Sequence, residues 1–205
     1  MNSLPQRYVE CFNSYWPKAS GKIYELLASC IKKWGSSSVC EVGCASGHLL
    51  LMLETKGFGE SFLKLTGIEI RKEICLNTLK RLAGCGSEIK LINADVLEID
   101  DRFDVIFSTG LLQCLTDEKR EEVISHIRDI ASKSIFVIPH IDEIRNADSS
   151  VEIGVSGCVE YPTQCVKKQL EQYYNSVQSG IWNKEELCLK DDFLYFICER
   201  EVVPR

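Results

Sequence analysis

No apolar run in this chain approaches the roughly 20 residues needed to cross a bilayer as a helix. The first residues, MNSLPQRYVE, have no basic segment leading into an apolar core, so they do not read as a secretory leader. A basic surplus is missing as well. Lys and Arg number 24 against 30 Asp and Glu, a net charge of −6, which argues against a phosphate backbone as the main partner. CxxC pairs are absent. Cys40 and Cys44 lie four apart and Cys158 and Cys165 seven apart, and neither pair has a second pair to complete a zinc site, so no metal is expected. There is no low-complexity segment, no internal repeat and no linker. What the chain does have is eleven cysteines, an odd number. Without a leader they read as reduced thiols of a cytoplasmic protein, most of them small hydrophobes on apolar faces. A length of 205 residues, 45% of them hydrophobic, suffices for one domain with a full core.

Elements alternate along the chain. Aromatic residues Tyr8, Phe12, Tyr15 and Trp16 mark a short N-terminal helix, and residues 20–34 read as an amphipathic helix with Ser20 as N-cap and Gly35 just past its end. Residues 1–35 are thus expected to form a helical cap segment, with the main domain over 36–205. Strands are expected at 38–42, 65–70, 88–93, 103–108 and 134–139. Helices are expected at 46–56, at 71–83 with Ile74, Leu79, Leu82 and Ala83 inward, and at 117–131. Continuous apolar strands alternating with helices imply a parallel sheet buried on both faces. After a helix at 162–177, strand-like runs at 185–190 and 193–199 meet at Lys190-Asp191-Asp192, a turn short enough to join only antiparallel strands. The expected fold is therefore α/β, a doubly wound, mostly parallel seven-stranded sheet ending in an antiparallel hairpin, with helices on both faces.

The loop after the first strand, Gly43-Cys44-Ala45-Ser46-Gly47, opens into a helix, and ligands of such sheets bind at the carboxyl ends of the strands. A dinucleotide fingerprint set on Gly43 would put the bulky His48 at its sixth position, which defeats close helix–strand packing. The spacing fits E-x-G-x-G-x-G better, with Ala45 in the middle. Glu41 sits inside an apolar strand two residues before Gly43. A charge there is costly unless paired, would repel a pyrophosphate and would attract a cation. Glu69 follows Gly47 by 22 residues at the tip of the neighbouring strand, where a carboxylate accepts from both ribose hydroxyls.

In order, CEVGCASG (40–47), GIEI (67–70), NADVLEID (93–100) and FDVIFSTGLLQCL (103–115) resemble the four successive motifs of the class I S-adenosylmethionine-dependent methyltransferases. The resemblance runs through nearly the whole chain and includes the terminal hairpin. It implies S-adenosylmethionine as cofactor, held by Glu41, Gly43, Cys44, Ala45, Gly47, Glu69, Ile70, Asp95, Val96, Ser108, Thr109 and Gly110. Asp95 would accept from the adenine amino group and the Val96 N–H would donate to a ring nitrogen. Family members that methylate exocyclic amines of DNA bases carry Asn/Asp/Ser-Pro-Pro-aromatic after strand four. Ser108-Thr109-Gly110-Leu111 departs from it and looks more like the members acting on small molecules.

The function expected is methyl transfer to an O, N or S atom of a small-molecule acceptor. Methyl transfer needs a base only if the nucleophile must lose a proton first, and His140, at a strand end after Pro139, is the candidate. Tyr8, Tyr15 and Trp16 are candidates for a lid over the site. Two other readings stay open: a non-catalytic S-adenosylmethionine-binding accessory or sensor protein, and an NAD-dependent oxidoreductase, against which His48 and Glu41 count. Ala45 is expected to keep an ordinary backbone, with Gly43 and Gly47 making the close approaches.

Overall fold

The computed structural model describes residues 16–56, 63–84, 86–112, 115–139, 163–183 and 192–200. Seven strands form one sheet: β1 (Ser38–Val42), β2 (Lys64–Ile68), β3 (Lys90–Ile92), β4 (Phe103–Thr109), β5 (Ala131–Pro139), β6 (Ser176–Trp182) and β7 (Phe193–Glu199). Their order is β3-β2-β1-β4-β5-β7-β6. Pairs β1–β2, β1–β4, β2–β3 and β4–β5 are parallel, whereas β7 is antiparallel to both β5 and β6. The helices are α1 (Trp16–Trp34), α2 (His48–Lys56), α3 (Lys72–Gly84), α4 (Asp117–Ile130) and α5 (Thr163–Tyr173). This is the doubly wound, mixed sheet that alternating elements imply.

Side chains alternate across a strand, so each central strand feeds two cores. Cys40, Val42, Ile106, Phe136 and Ile138 pack with Val123, Ile124 and Ile127 of α4 and Val166 and Leu170 of α5. Val39, Val105, Phe107, Ile135 and Val137 pack on the other face with Ile23, Leu27 and Ile31 of α1 and Leu49, Leu50 and Leu53 of α2. Strand order reverses between β1 and β4, which opens the crevice at their carboxyl ends.

The structure moves several boundaries. Helix α1 begins at Trp16, so Ser20 is no cap but a buried residue one turn in. Its other end follows expectation. Gly35 takes φ +60°, and the Gly35 and Ser36 N–H groups donate to Lys32 O and Ile31 O. On α3 the inward face is Cys75, Thr78 and Leu82, whereas Leu79 and Ala83 are exposed. The last helix stops at Tyr173 instead of 177, because Ser176–Trp182 pairs residue for residue with β7. Strand β7 is therefore paired by 176–182; residues 185–190, expected as a strand, lie outside the described residues, as do Lys190 and Asp191 of the expected turn. Gly180 lies opposite Tyr195, whose ring occupies the space of its missing side chain and packs 4.7 Å from Trp182 between centroids.

Candidate functional site

Glu41 is carried into the crevice by β1, whose neighbours bury it to 3% exposure. Its partner in the register is Phe107, so Thr109, two residues on, lies on the same face, and its hydroxyl hydrogen-bonds the Glu41 carboxyl. Oε2 of Glu41 has no hydrogen-bond partner among the described residues. Burial, and then the negative charge of Glu69, holds this carboxyl well above the usual carboxylate range, with the Thr109 bond pulling the other way.

The loop that follows turns back on itself. Positive φ recurs at Gly43 (73°), Ala45 (43°) and Gly47 (63°). The expectation of an ordinary backbone at Ala45 is thus overturned. The alternation is fixed by hydrogen bonds at several points. Gly43 and Cys44 N–H donate to Ile68 O, and Gly47 N–H donates to Cys44 O. The Ala45 N–H donates to Glu69 Oε2 at 3.1 Å, and Ala45 O accepts from Thr78 Oγ1 at 2.7 Å. Arg81, one helical turn after Thr78, donates to Ser46 O. Positive φ at Gly47 also explains why α2 starts at His48 and not at Ser46. Cys44 does not face the crevice. It is buried beneath the loop, where a side chain at Gly67 would meet its Sγ at 2.8 Å. Burial first, and Glu41 next, push the Cys40 and Cys44 thiols far up, so neither serves as a nucleophile. His48, at the start of α2, is held below its ordinary value by burial and then by Arg81 and Lys56.

Glu69 lies just past β2 and is 2% exposed. Arg71 holds it with its backbone N–H and with Nε and Nη2 of its guanidinium. Asn93 fixes the same turn from β3, donating through Nδ2 to Glu69 O and Ile70 O. Ile70 between them is 62% exposed beside this turn. Asp95 caps a turn of 3₁₀ helix at Val96–Glu98, accepting from Leu97 N–H at 3.1 Å, and its other oxygen lies 3.8 Å from Lys119 Nζ. Val96 itself is buried.

At the end of β4, Ser108 and Thr109 part company. Thr109 faces Glu41, whereas Ser108 sits on the α4 and α5 side of the sheet, 1% exposed, its Oγ without a partner among the described residues. Gly110 (φ 74°) donates to Val137 O, and Leu111 packs back towards Gly43. The loops after β1 and β4 therefore touch. Glu41, Gly43, Ala45, Gly47, Glu69, Thr109 and Gly110 converge on one crevice, and Asp95 and Val96 flank it beyond β2. Tyr8, Tyr15 and His140, as well as the side chain of Trp16, lie outside the described residues. Arg71, Thr78, Arg81 and Asn93 are participants that the motif pattern does not reveal. The spacing of Thr78 and Arg81 on one helix face was the one available signal.

Residues 39–134 match the family model described as a methyltransferase domain. The chain is 28% identical over 104 residues to the carboxy-S-adenosyl-L-methionine synthase of Campylobacter concisus, which covers 50% of this chain and 42% of that protein. The chain thus spans about two fifths of the length of that curated relative. Among solved structures it is similar to magnesium protoporphyrin IX methyltransferase from Synechocystis PCC 6803 with bound S-adenosylmethionine (TM-score 0.64, 14% identity, 88% of this chain and 79% of that one). It is also similar to a S-adenosylmethionine-dependent methyltransferase from Clostridium acetobutylicum (TM-score 0.69, 9% identity, 96% and 99%). A [4+2]-cyclase shares the fold too (TM-score 0.70, 11% identity, 88% and 81%). Residues 39–134 thus match a methyltransferase domain, and the strand order gives the chain the Rossmann-like fold of these solved S-adenosylmethionine-dependent methyltransferases.

Proposed function

We propose that this chain binds S-adenosylmethionine in the crevice between β1 and β4 and transfers its methyl group to an O, N or S atom of a small-molecule acceptor. The observation that carries this reading is Glu41: a buried carboxyl with an orphaned oxygen, beside a glycine turn. A pyrophosphate there would bring further negative charge to a site that already has the Glu41 and Glu69 carboxyls and in which Glu41 ionises with difficulty. A cationic nucleoside supplies the missing partner. Bound in this crevice, the cofactor offers an electrophilic methyl on a sulfonium that leaves as a neutral thioether.

The chain's own residues have four tasks. Glu69 takes the ribose hydroxyls. Asp95, Val96 and Ile70 border the adenine, Ile70 by its exposed apolar side chain. Glu41, with the loop from Gly43 through Cys44 and Ala45 to Gly47, receives the cationic end. Ser108, Thr109 and Gly110 form the wall on the transferring methyl, with Ser108 contributing backbone because its side chain turns away. Transfer is an in-line displacement, so these residues act by orienting and by excluding water. When the acceptor must lose a proton, we assign that to His140. The cap and lid expected over residues 1–35 are assigned to Tyr8, Tyr15 and Trp16 ahead of and at the head of α1, whose remaining turns pack on the sheet. Buried, unpaired thiols at Cys30, Cys40, Cys44, Cys75 and Cys198 support a reducing, cytoplasmic setting.

Calorimetric titration with S-adenosylmethionine and S-adenosylhomocysteine, with Glu69→Ala as control, tests the reading. Binding of both by wild type and a clear loss in the variant are expected. No heat and no thermal shift with either ligand would refute it. Binding without turnover of S-adenosylmethionine across amine, hydroxyl and thiol acceptors would turn the reading into that of an accessory protein.

A further inference from the structure

Glu41 has few partners for a buried carboxyl. The Thr109 hydroxyl meets one of its oxygens, and Oε2 has no hydrogen-bond partner among the described residues. Its neighbours across the sheet, Gly67 on β2 and Phe107 on β4, bring no charge. On this face the helices pack through apolar side chains, Ala19 and Ile23 of α1 and Leu49 and Leu50 of α2. The Cys40 and Cys44 thiols beside it are neutral, because burial pushes both far up. The charge that bears on Glu41 is another carboxylate, Glu69 at the end of β2, itself bonded by Arg71 and the Ala45 N–H. His48, at the head of α2, titrates beside the same loop and is held below its ordinary value.

A buried carboxylate with one hydrogen bond and a second carboxylate nearby is far costlier than the neutral acid. We propose that Glu41 is the neutral acid in the free crevice and releases its proton when a ligand's cation arrives, so that it selects cationic over uncharged nucleosides, more sharply as pH rises. This rests on the S-adenosylmethionine reading of the site given above. The step balances. The carboxyl O–H bond breaks, its electron pair stays on oxygen, the proton goes to buffer, and the cation pairs with the carboxylate through Oε2. An uncharged nucleoside leaves the acid as it is. The sign follows from the two ends of the exchange. Burial holds the free carboxyl well above its usual range, and a paired cation brings the bound one back towards the ordinary value of about 4.3. Between those two values up to about one proton leaves per ligand, and affinity for the cation rises up to about tenfold per pH unit. Above the free value the affinity is level.

The test is calorimetry on the full chain in buffers of high and low ionisation enthalpy, which counts protons. At about pH 6, S-adenosylmethionine should release up to about one proton, and 5′-methylthioadenosine, an uncharged nucleoside thioether, should release none. From about pH 5 to 7.5 the ratio of the two affinities should grow with pH. Glu41→Gln keeps the shape and cannot ionise, so the release that is specific to the cation and the growth of the ratio should both vanish. A variant that still releases the proton would point to another group, such as His48, and overturn the inference. Equal release with the uncharged ligand would overturn it too, because the proton would then follow the nucleoside and not the charge.

A measurement on the unaltered protein covers the case of a variant that does not fold. Infrared difference spectra should show the carbonyl stretch of a protonated carboxyl disappearing, and a carboxylate band appearing, when S-adenosylmethionine is added. Saturation with no such loss would overturn the inference while leaving the S-adenosylmethionine reading intact. Wild type that binds neither ligand would overturn both.

Discussion

Ala45 is the residue whose replacement discriminates best between two pictures of the loop. Its φ of +43° lies in the left-handed region, where an L-residue carries roughly 1–2 kcal/mol of strain. Ala45→Gly relieves that strain. Against it stand about 0.4–1 kcal/mol of extra chain entropy in the unfolded state and about 0.4 kcal/mol for half of a buried methyl, since Ala45 is half-buried. Taking midpoints, the net is about 0.4 kcal/mol in favour of glycine. Were Ala45 in ordinary backbone, the same change would be destabilising by roughly 0.5–1 kcal/mol. The two pictures differ by about 1 kcal/mol and in sign. For a chain of this size 1 kcal/mol moves the melting midpoint by about 2–4 °C. Thermal melts and urea midpoints of the two proteins should therefore place the glycine variant about 1–2 °C higher. A midpoint lowered by about 2 °C would refute the left-handed assignment and the account of the loop built on it.

Four further outcomes follow from packing and charge. Gly67→Ala places a methyl 2.7–2.9 Å from Leu91, Cys44 and Leu50, and should cost about 1–3 kcal/mol by urea unfolding, part of it recovered by Cys44→Ala in a double-mutant cycle. Burial raises the Asp104 carboxyl, and hydrogen bonds from Ser37 and Ser38 more than offset this, leaving it below its ordinary value. Its stabilisation is full above the unfolded value of about 3.9 and is lost as pH falls through the lower folded value, so Asp104→Asn should weaken the fold at pH 7 and flatten its acid limb. Gly180→Ala should drive the Tyr195 ring off its site, lowering the melting midpoint and altering Trp182 fluorescence; unchanged fluorescence would contradict the packing described. Thr78→Val removes the 2.7 Å bond to Ala45 O and should weaken S-adenosylhomocysteine binding severalfold, with Ala45→Gly restoring much of the loss in the double variant.

What the sequence revealed follows from which interactions are local. Strands β1 and β4 are legible because continuous apolar runs such as Val39–Val42 and Val105–Phe107 have nowhere to go but a sheet buried on both sides. The sites of Glu41, Glu69 and Thr109 follow from that, since a strand end fixes where its next residue sits. Less legible was whatever depends on a partner distant in sequence. The inward face of α3 is set by Gly47, whose missing side chain lets Thr78 approach, so Cys75 and Thr78 turn in where Leu79 looked the better candidate. The edge strand β6 has Gln178-Ser179-Gly180 at its middle, no strand signal in itself, and is held by its pairing with β7, where Tyr195 covers Gly180.

Ala45 also shows how the loop and Glu69 are tied into one unit. A glycine there would adopt positive φ unaided. Alanine does so only while the neighbours overdetermine it, as strained residues require. Glu69 takes its amide, Thr78 its carbonyl, and Arg81 the carbonyl after it. Each of these side chains also belongs to something else: Glu69 to Arg71, and Thr78 and Arg81 to α3. The alanine methyl thus makes the loop's shape conditional on Glu69 being in place, because its carboxyl group accepts from the loop amide and from three Arg71 donors at once. A carboxamide in its place would turn a donor towards one of those four donors. The loop after β1 and Glu69 therefore stand or fall as one structural element.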